Sequence, residues 1–266
     1  MQTCLQLDRA GAIATLWLDR EDKRNALDGA LMKALAAALD ELAADAEIRV
    51  VVLRGKGPVF SSGIDHGLLL EVMRDSQRTP FLHLHHQLQE TFHRMSRLQK
   101  PVIAALHGVA AGMALELALA ADLRVATADC ALGLPEVAFG IVPDVGGTTR
   151  LVRAVGEPRA RDLILTGRLV SGEVAAGYGL VHEVVPDLAA LEALVAQRAA
   201  LLAAHSPAAI GLAKTLCQLA GETDAATSFR VEGIAQQALL AQPDLAARFP
   251  EALAFIKAQL AAVRGR

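Results

Sequence analysis

Aromatic side chains are nearly missing from this chain: they make up 3% of its 266 residues, with one Trp and one Tyr. A core without rings must be built from Ala, Leu and Val, and a hydrophobic content of 53% supplies them. With 21% charged residues, that composition excludes an intrinsically disordered chain. Cysteine is scarce too. Cys4, Cys130 and Cys217 are scattered, odd in number and outside any CxxC, which excludes a disulfide framework and a thiolate zinc site and suits a reducing cytoplasm. The net charge of −3 and the lack of any Lys/Arg-rich run exclude a general nucleic-acid binder. There is no G-x-G-x-x-G, no P-loop and no G-x-S-x-G elbow, so dinucleotide, nucleoside-triphosphate and serine-hydrolase chemistry are not indicated. The N-terminal segment has no signal-peptide apolar core.

One apolar run mimics a membrane span. Residues 102–121 contain Gly108-x-x-x-Gly112, but His107 and Glu116 interrupt them, and the run reads better as strand, turn and helix buried on both sides. His83, His85 and His86 have a spacing that suits no common metal site and read as a solvated helix face, so no metal is expected.

Against this background three acids stand out. Glu116 lies in HGVAAGMALELALAAD (107–122), and Glu136 and Asp144 lie in LPEVAFGIVPDVGG (134–147). Burying a carboxylate among apolar side chains raises its pKa toward neutrality, where acid–base catalysis works best. Met113 lies in the first turn of the predicted helix that carries Glu116 three residues on, and the first N–H groups of a helix have no intrahelical partner. Gly63, in the loop FSSGID (60–65), similarly exposes the N–H of Ile64. Bland readings compete: a turn capped by Asp65, a salt-bridged Glu116, and solvated loop acids at 136 and 144. The apolar residues around those last two weaken the third.

Strands are predicted at 12–18, 49–54, 101–106, 123–126, 131–134 and 181–185, and helices at 28–44, to about 98 after a polar His-rich segment, and at 112–121. This alternation predicts an α/β fold with largely parallel pairing. From about 188 only helical patterns remain, at 188–204, 207–219, 224–240 and 250–263. The chain therefore divides into an α/β region, 1–187, and a helical appendage, 188–266.

In their order along the chain, LDREDKRNALD (18–28), RVVVLRGKGPVFSSGID (49–65), KPVIAALHGVAAGMALELALAADLRVA (100–126), LPEVAFGIVPDVGGTTRLVRAVG (134–156) and LTGRLVSGEVAAGYGLVHEVVP (165–186) resemble the crotonase, or enoyl-CoA hydratase/isomerase, superfamily. The resemblance covers essentially the whole chain. It implies a spiral of ββα units, a C-terminal helical trimerisation region forming a homotrimer or hexamer, and an acyl-CoA thioester substrate with no cofactor beyond the coenzyme A it carries. It also implies an oxyanion hole from the N–H groups of Ile64 and Met113, acid/base roles for Glu116 and Glu136, and CoA contacts by Lys23, Arg24, Ala26, Ser62 and Asp65. Asp144 matches a position where dienoyl-CoA isomerases carry a catalytic Asp, and QETFHRMSRLQKPVIAALHG (89–108) also looks like that subgroup. Two departures stand out: Gly112-Met113-Ala114 replaces a run of glycines, and His107 replaces a common Asn. The Met113 side chain is expected to reshape the acyl pocket, and its presence also motivates a non-catalytic scaffold reading.

Overall fold

The computed structural model describes residues 4–75 and 81–264, with the side chains at 75 and 81–84 outside that description. In chain order the strands are β1 (Leu5–Ala10), β2 (Ile13–Leu18), β3 (Val50–Gly55), β4 (Val102–Leu106), β5 (Val109–Ala111), β6 (Leu123–Thr127), β7 (Ala131–Gly133) and β8 (Glu183–Val185). The main sheet has the order β1-β2-β3-β4-β6-β8, antiparallel between β1 and β2 and parallel thereafter. The parallel β5–β7 pair forms a second, small sheet, which isolated bridges Ser61↔Ala110 and Leu132↔Val170 extend at both edges. The successive pairs β4–β5 and β6–β7 thus each add one strand to the large sheet and one to the small sheet before helical structure follows. This is the expected spiral of ββα units.

The central strands are apolar on both faces because both faces are covered. On one side Val51, Leu53, Ala104 and Leu106 pack against α1 (Gly29–Ala44), whose Leu31, Leu35, Leu39 and Leu42 recur at helical spacing. Asp28 caps α1, accepting the Leu31 N–H. On the other side Val50, Val52, Ile103 and Val125 meet Leu191, Val195 and Ala199.

After α1 the helices are α2 (His66–Asp75), α3 (Phe81–Arg97), α4 (Met113–Leu119), α5 (Gly147–Val155), α6 (Glu157–Thr166), α7 (Gly172–Tyr178), α8 (Leu188–Ala204), α9 (Pro207–Ala220), α10 (Ala225–Leu240) and α11 (Leu245–Arg264). Several differ from expectation. The polar His-rich segment after residue 65 is helical as α2 and the start of α3. The strands β1 and β5 and the helices α5, α6 and α7 lie outside the predicted elements, being short (three to ten residues) and too brief to show a clear apolar period. Pro250 lies inside α11 rather than ending a helix.

The chain forms two compact units, 1–210 and 211–266. The first runs beyond residue 187 because α8 closes the second face of the sheet. The second exposes large apolar side chains, among them Phe229, Ile234, Phe249, Ile256 and Val263. Residues 102–121 are divided among β4, β5 and α4, and among the described residues no single helix is long and apolar enough to cross a membrane.

Candidate active site

Two neighbouring loops each present a backbone N–H. In the first, Leu27 pairs with Ile64 through the Leu27 N–H to Gly63 C=O (2.8 Å) and the Asp65 N–H to Leu27 C=O (2.9 Å), so the Ile64 N–H takes no part in that bridge. The segment is held from below by Asn25, fully buried at φ 54°, which donates to the carbonyls of Lys56 (2.8 Å) and Val59 (2.9 Å) and accepts from the Arg20 N–H (2.9 Å). The Ser61 hydroxyl donates in turn to Asn25 C=O at 2.7 Å. In the second loop, Met113 is the first residue of α4 and has no intrahelical acceptor for its N–H.

Glycine is required at the joint between the loops. Gly63 has φ +95°, and a Cβ there would stand 2.5 Å from Ala111 C=O and 3.6 Å from the Met113 nitrogen. Gly112 has φ +58°, and a Cβ there would meet Glu136 Oε1 at 3.0 Å. The loop carrying Ile64, the start of α4 and the Glu136 carboxylate are therefore in direct contact.

Glu116 is 2% exposed. Among the described residues it forms no salt bridge; its Oε1 accepts N–H bonds from Val145 (3.1 Å) and Gly147 (2.8 Å). Burial, with the nearby charges of Glu136 and Asp144, pushes its pKa up to about 8 against the pull of those two donors. Glu136 opens a 3₁₀ turn, Glu136–Phe139, and its Oε2 is buried with no hydrogen-bond partner among the described residues. Burial, with a contribution from Asp144, raises its pKa to about 7. The apolar residues beside it do not shield it by being buried: Phe139 is 61% and Val142 63% exposed, and both border the same cavity as Glu136. Asp144 is half-buried. Burial raises its pKa, and the charge of His85 opposes the rise.

The loop at Asp144 is tied down from α3. His85 Nε2 bonds to the Asp144 carbonyl (2.7 Å) and lies 3.8 Å from its carboxylate, and Gln89 Nε2 donates to the same carbonyl (2.9 Å). His85 thus has a specific contact rather than a merely solvated position, while the side chain of His83 lies outside the described residues. Among the described residues no cluster of His, Cys, Asp and Glu could hold a metal ion.

Ile64, Met113, Glu116, Glu136 and Asp144 all line one cavity of about 280 Å³. Met113 borders it without filling it. Ser62, Ile64 and His66 also line a groove bordered by Lys23, Arg24, Ala26 and Asp65. The Asp65 carboxylate is engaged by the Gly67 N–H (2.8 Å) and by Arg20 (3.2 Å), so it fixes the groove wall. His107 sits beneath the loop, with Nε2 3.0 Å from Gly57 C=O.

Reading the sequence missed several residues that hold this site. Gly147 was detectable as the Gly-Gly pair after Asp144: a Cβ there would come within 2.4 Å of Glu116 Oε1. Asn25 stood inside the first motif. His85 and Gln89 carried no signal, because nothing in a polar helix tells which residue faces a loop distant in sequence.

A family model described as enoyl-CoA hydratase/isomerase matches residues 8–249. The 2,3-dehydroadipyl-CoA hydratase of Escherichia coli K12 is 37% identical over 79% of this chain and 80% of its own. An enoyl-CoA hydratase from Bacillus anthracis superimposes with a TM-score of 0.87 at 33% identity, covering 96% of each chain. A Thermobifida fusca protein solved in complex with acetoacetyl-CoA gives a TM-score of 0.80 at 38% identity, over 90% of this chain and 95% of that one.

Proposed function

This chain belongs to the enoyl-CoA hydratase/isomerase family, and from that premise we propose that it adds water across the double bond of an enoyl-CoA thioester, using Glu116 and Glu136 as its acid–base pair. The observation that carries this reading is that two carboxyls with pKa values raised to about 8 and about 7 line one cavity beside the unbonded N–H of Met113. Near neutral pH such a pair holds one proton in one carboxyl and leaves the other ionised.

The thioester oxygen sits between the N–H groups of Ile64 and Met113. As oxygen adds at C3, negative charge moves onto that oxygen, and the two donors stabilise the enolate; losing one such donor typically costs about 10²–10³ in rate. The ionised carboxylate takes a proton from the attacking water, and the protonated carboxyl delivers its proton to C2. One C–O and one C–H bond form, the C2–C3 π bond is lost, and the two carboxyls exchange protonation states. Coenzyme A is part of the substrate. Lys23 and Arg24 meet its phosphates, and Ala26, Ser62 and Asp65 shape the groove that receives it. Three free cysteines accord with a cytoplasmic enzyme, and the apolar side chains exposed on 211–266 support assembly as a homotrimer or a dimer of trimers.

The test is to incubate the purified protein with crotonyl- and hexenoyl-CoA and to look by mass spectrometry for 3-hydroxyacyl-CoA. Substrates that bind but gain no water would sink the reading. One observation favours a second reading: Asp144 lines the same cavity, so Glu136 and Asp144 form an alternative pair that passes a proton along a diene without adding water. Isomerisation of a dienoyl-CoA would reveal it.

A further inference from the structure

The hydrogen bonds that hold Glu116 have a further anchor. Val145 and Gly147 each donate an N–H to Glu116 Oε1 (3.1 and 2.8 Å), and the Val145 carbonyl accepts from Arg150 Nη1 at 3.0 Å. Arg150 stands in the first turn of α5, its N–H bonded to Gly146 C=O at 2.9 Å. Helical side chains lean toward the N-terminus, so a long side chain at this position folds back over residues 145 and 146. It does so closely: Gly146 has φ +100°, and a Cβ there would collide with Arg150 Nη1 and lie 2.9 Å from its Cζ. Glycine at 146 is thus required twice, for the turn and for the guanidinium. Among the described residues, charges of both signs face Glu116. Glu136 from the 3₁₀ turn and Asp144 from the loop oppose its ionisation, and His85 of α3 lies 3.8 Å from the Asp144 carboxylate. Arg150 comes from α5: burial lowers its pKa, the charge of Glu116 works against that fall, and Arg153 adds to it. A guanidinium keeps its charge at any working pH, so its sign is constant.

From this geometry we infer that Arg150 is the positioning residue of Glu116: it holds the Val145–Gly146 peptide so that the N–H groups on either side converge on Oε1, and it sets a fixed positive charge near the carboxyl. This rests on the reading of Glu116 as one of the two acid–base groups. Arg150 acts through the Val145 backbone and through its field, not on the reacting atoms. Three acids sharing one cavity raise one another's pKa values, and an opposite charge lowers them. Arg150 thereby keeps Glu116 within reach of ionisation. The proposed reaction needs that, because each addition of water exchanges the protonation states of Glu116 and Glu136.

The test reads Glu116 directly. In the full-length protein without substrate, the infrared band of a protonated carboxyl that disappears in Glu116→Gln reports its titration. In Arg150→Met the midpoint of that band is expected to rise by about one pH unit, since removing an opposite charge favours the neutral carboxyl. Arg150→Gln is a second neutral variant, expected to give the same rise where Met disturbs folding. Arg150→Lys keeps the charge and should return the midpoint to within about a third of a unit of the parent. Turnover of hexenoyl-CoA is measured in parallel. In Arg150→Met, kcat should fall about a hundredfold with KM within about threefold, because a displaced Glu116 harms the step more than binding. The alkaline limb of the kcat/KM profile should move up with the midpoint, which a merely structural role would not cause. An unmoved midpoint in a folded neutral variant, or a kcat within about threefold of the parent, overturns the inference. If the parent adds no water to any enoyl-CoA, the acid–base reading fails, and the infrared midpoint alone decides whether Arg150 governs Glu116.

Discussion

The two segments that carry the acids are held in opposite ways. In α4 every residue from Met113 to Leu119 is buried, so Glu116 stands on a helix fixed by packing on all sides. The segment 136–147 shows Phe139 and Val142 to solvent, and specific hydrogen bonds hold its end. His85 and Gln89 hold the Asp144 carbonyl, the Thr148 hydroxyl donates to Pro143 C=O at 3.2 Å, and Arg150 donates to Val145 C=O at 3.0 Å. The two segments meet at Glu116 Oε1, which accepts from Val145 and Gly147. Glu116 is thus both a candidate acid–base group and the clasp by which a rigid helix positions a more exposed loop. One oxygen is spent on structure and the other is left for chemistry.

Separating those two roles should produce the largest effect. Glu116→Gln keeps an oxygen for the Val145 and Gly147 N–H groups but loses the titrating group, so hydration should fall by about 10²–10⁴ in kcat with the fold retained. Glu136→Gln should do the same without touching the clasp. Steady-state kinetics with hexenoyl-CoA measure both, and a loss under tenfold in either would remove that residue from the mechanism. Next in size is Gly147→Ala. The added Cβ would press on Glu116 Oε1 and Cγ, at 2.4 and 2.6 Å, and push the carboxyl from its cradle. Ångström-scale misplacement of a reacting group costs about a hundredfold, so kcat should fall by about that factor. Unchanged kcat would mean that the clasp does not position the acid.

How far the sequence discloses this contrast depends on the kind of contact. The buried helix is legible because its information is local: a strand, a glycine turn, then small apolar residues interrupted by a single acid at 116. The three acids, Ile64 and Met113 were all identifiable by residue type and chain order, and the structure brings them to one cavity. The second segment is less legible. Its apolar residues suggest burial, yet Phe139 and Val142 are exposed, because they border the open cavity that Glu136 also lines and are not covered by other elements. The contacts of His85 and Gln89 with Asp144 span 59 and 55 residues, and no periodicity reports a pairing at that distance. The first compact unit runs to residue 210 for a related reason: α8 looks like the first helix of an appendage until the sheet face it covers is seen.

A smaller effect should appear in pH dependence, where the two glutamates act as a unit. Hydration needs one carboxyl and one carboxylate, so kcat/KM should be bell-shaped. It should fall about tenfold per pH unit below about 7, where both are protonated, and again above about 8, where both are ionised. A flat profile across that range would exclude the pair. Stability should change with the opposite bias. A buried acid with a raised pKa keeps a proton that the unfolded chain has already released. The stability linked to Glu116 is therefore complete below its ordinary value of 4.5 and is lost as pH rises to about 8, by on the order of a few kcal/mol. Glu116→Gln has no charge to bury and should melt higher than the parent at pH 9, with a smaller difference at pH 5. Equal differences at the two values would show that burial of this charge costs little.

Asp144→Asn should have the smallest effect on hydration and the most to say about the contrast. Its carbonyl, not its carboxylate, receives the bonds from His85 and Gln89, so Asn keeps the loop in place. Its side chain is 40% exposed and therefore better solvated than the Glu116 carboxyl. If Glu116 and Glu136 carry the reaction, hydration of hexenoyl-CoA should change by less than about threefold, with any dienoyl-CoA isomerisation lost. The substitution also removes a negative charge that helps raise both glutamate pKa values, so the bell should move slightly toward acid. A loss of hydration as large as that from Glu136→Gln would put Asp144 in the water-adding pair, and the exposed segment, rather than the buried helix, would then hold the partner of Glu136.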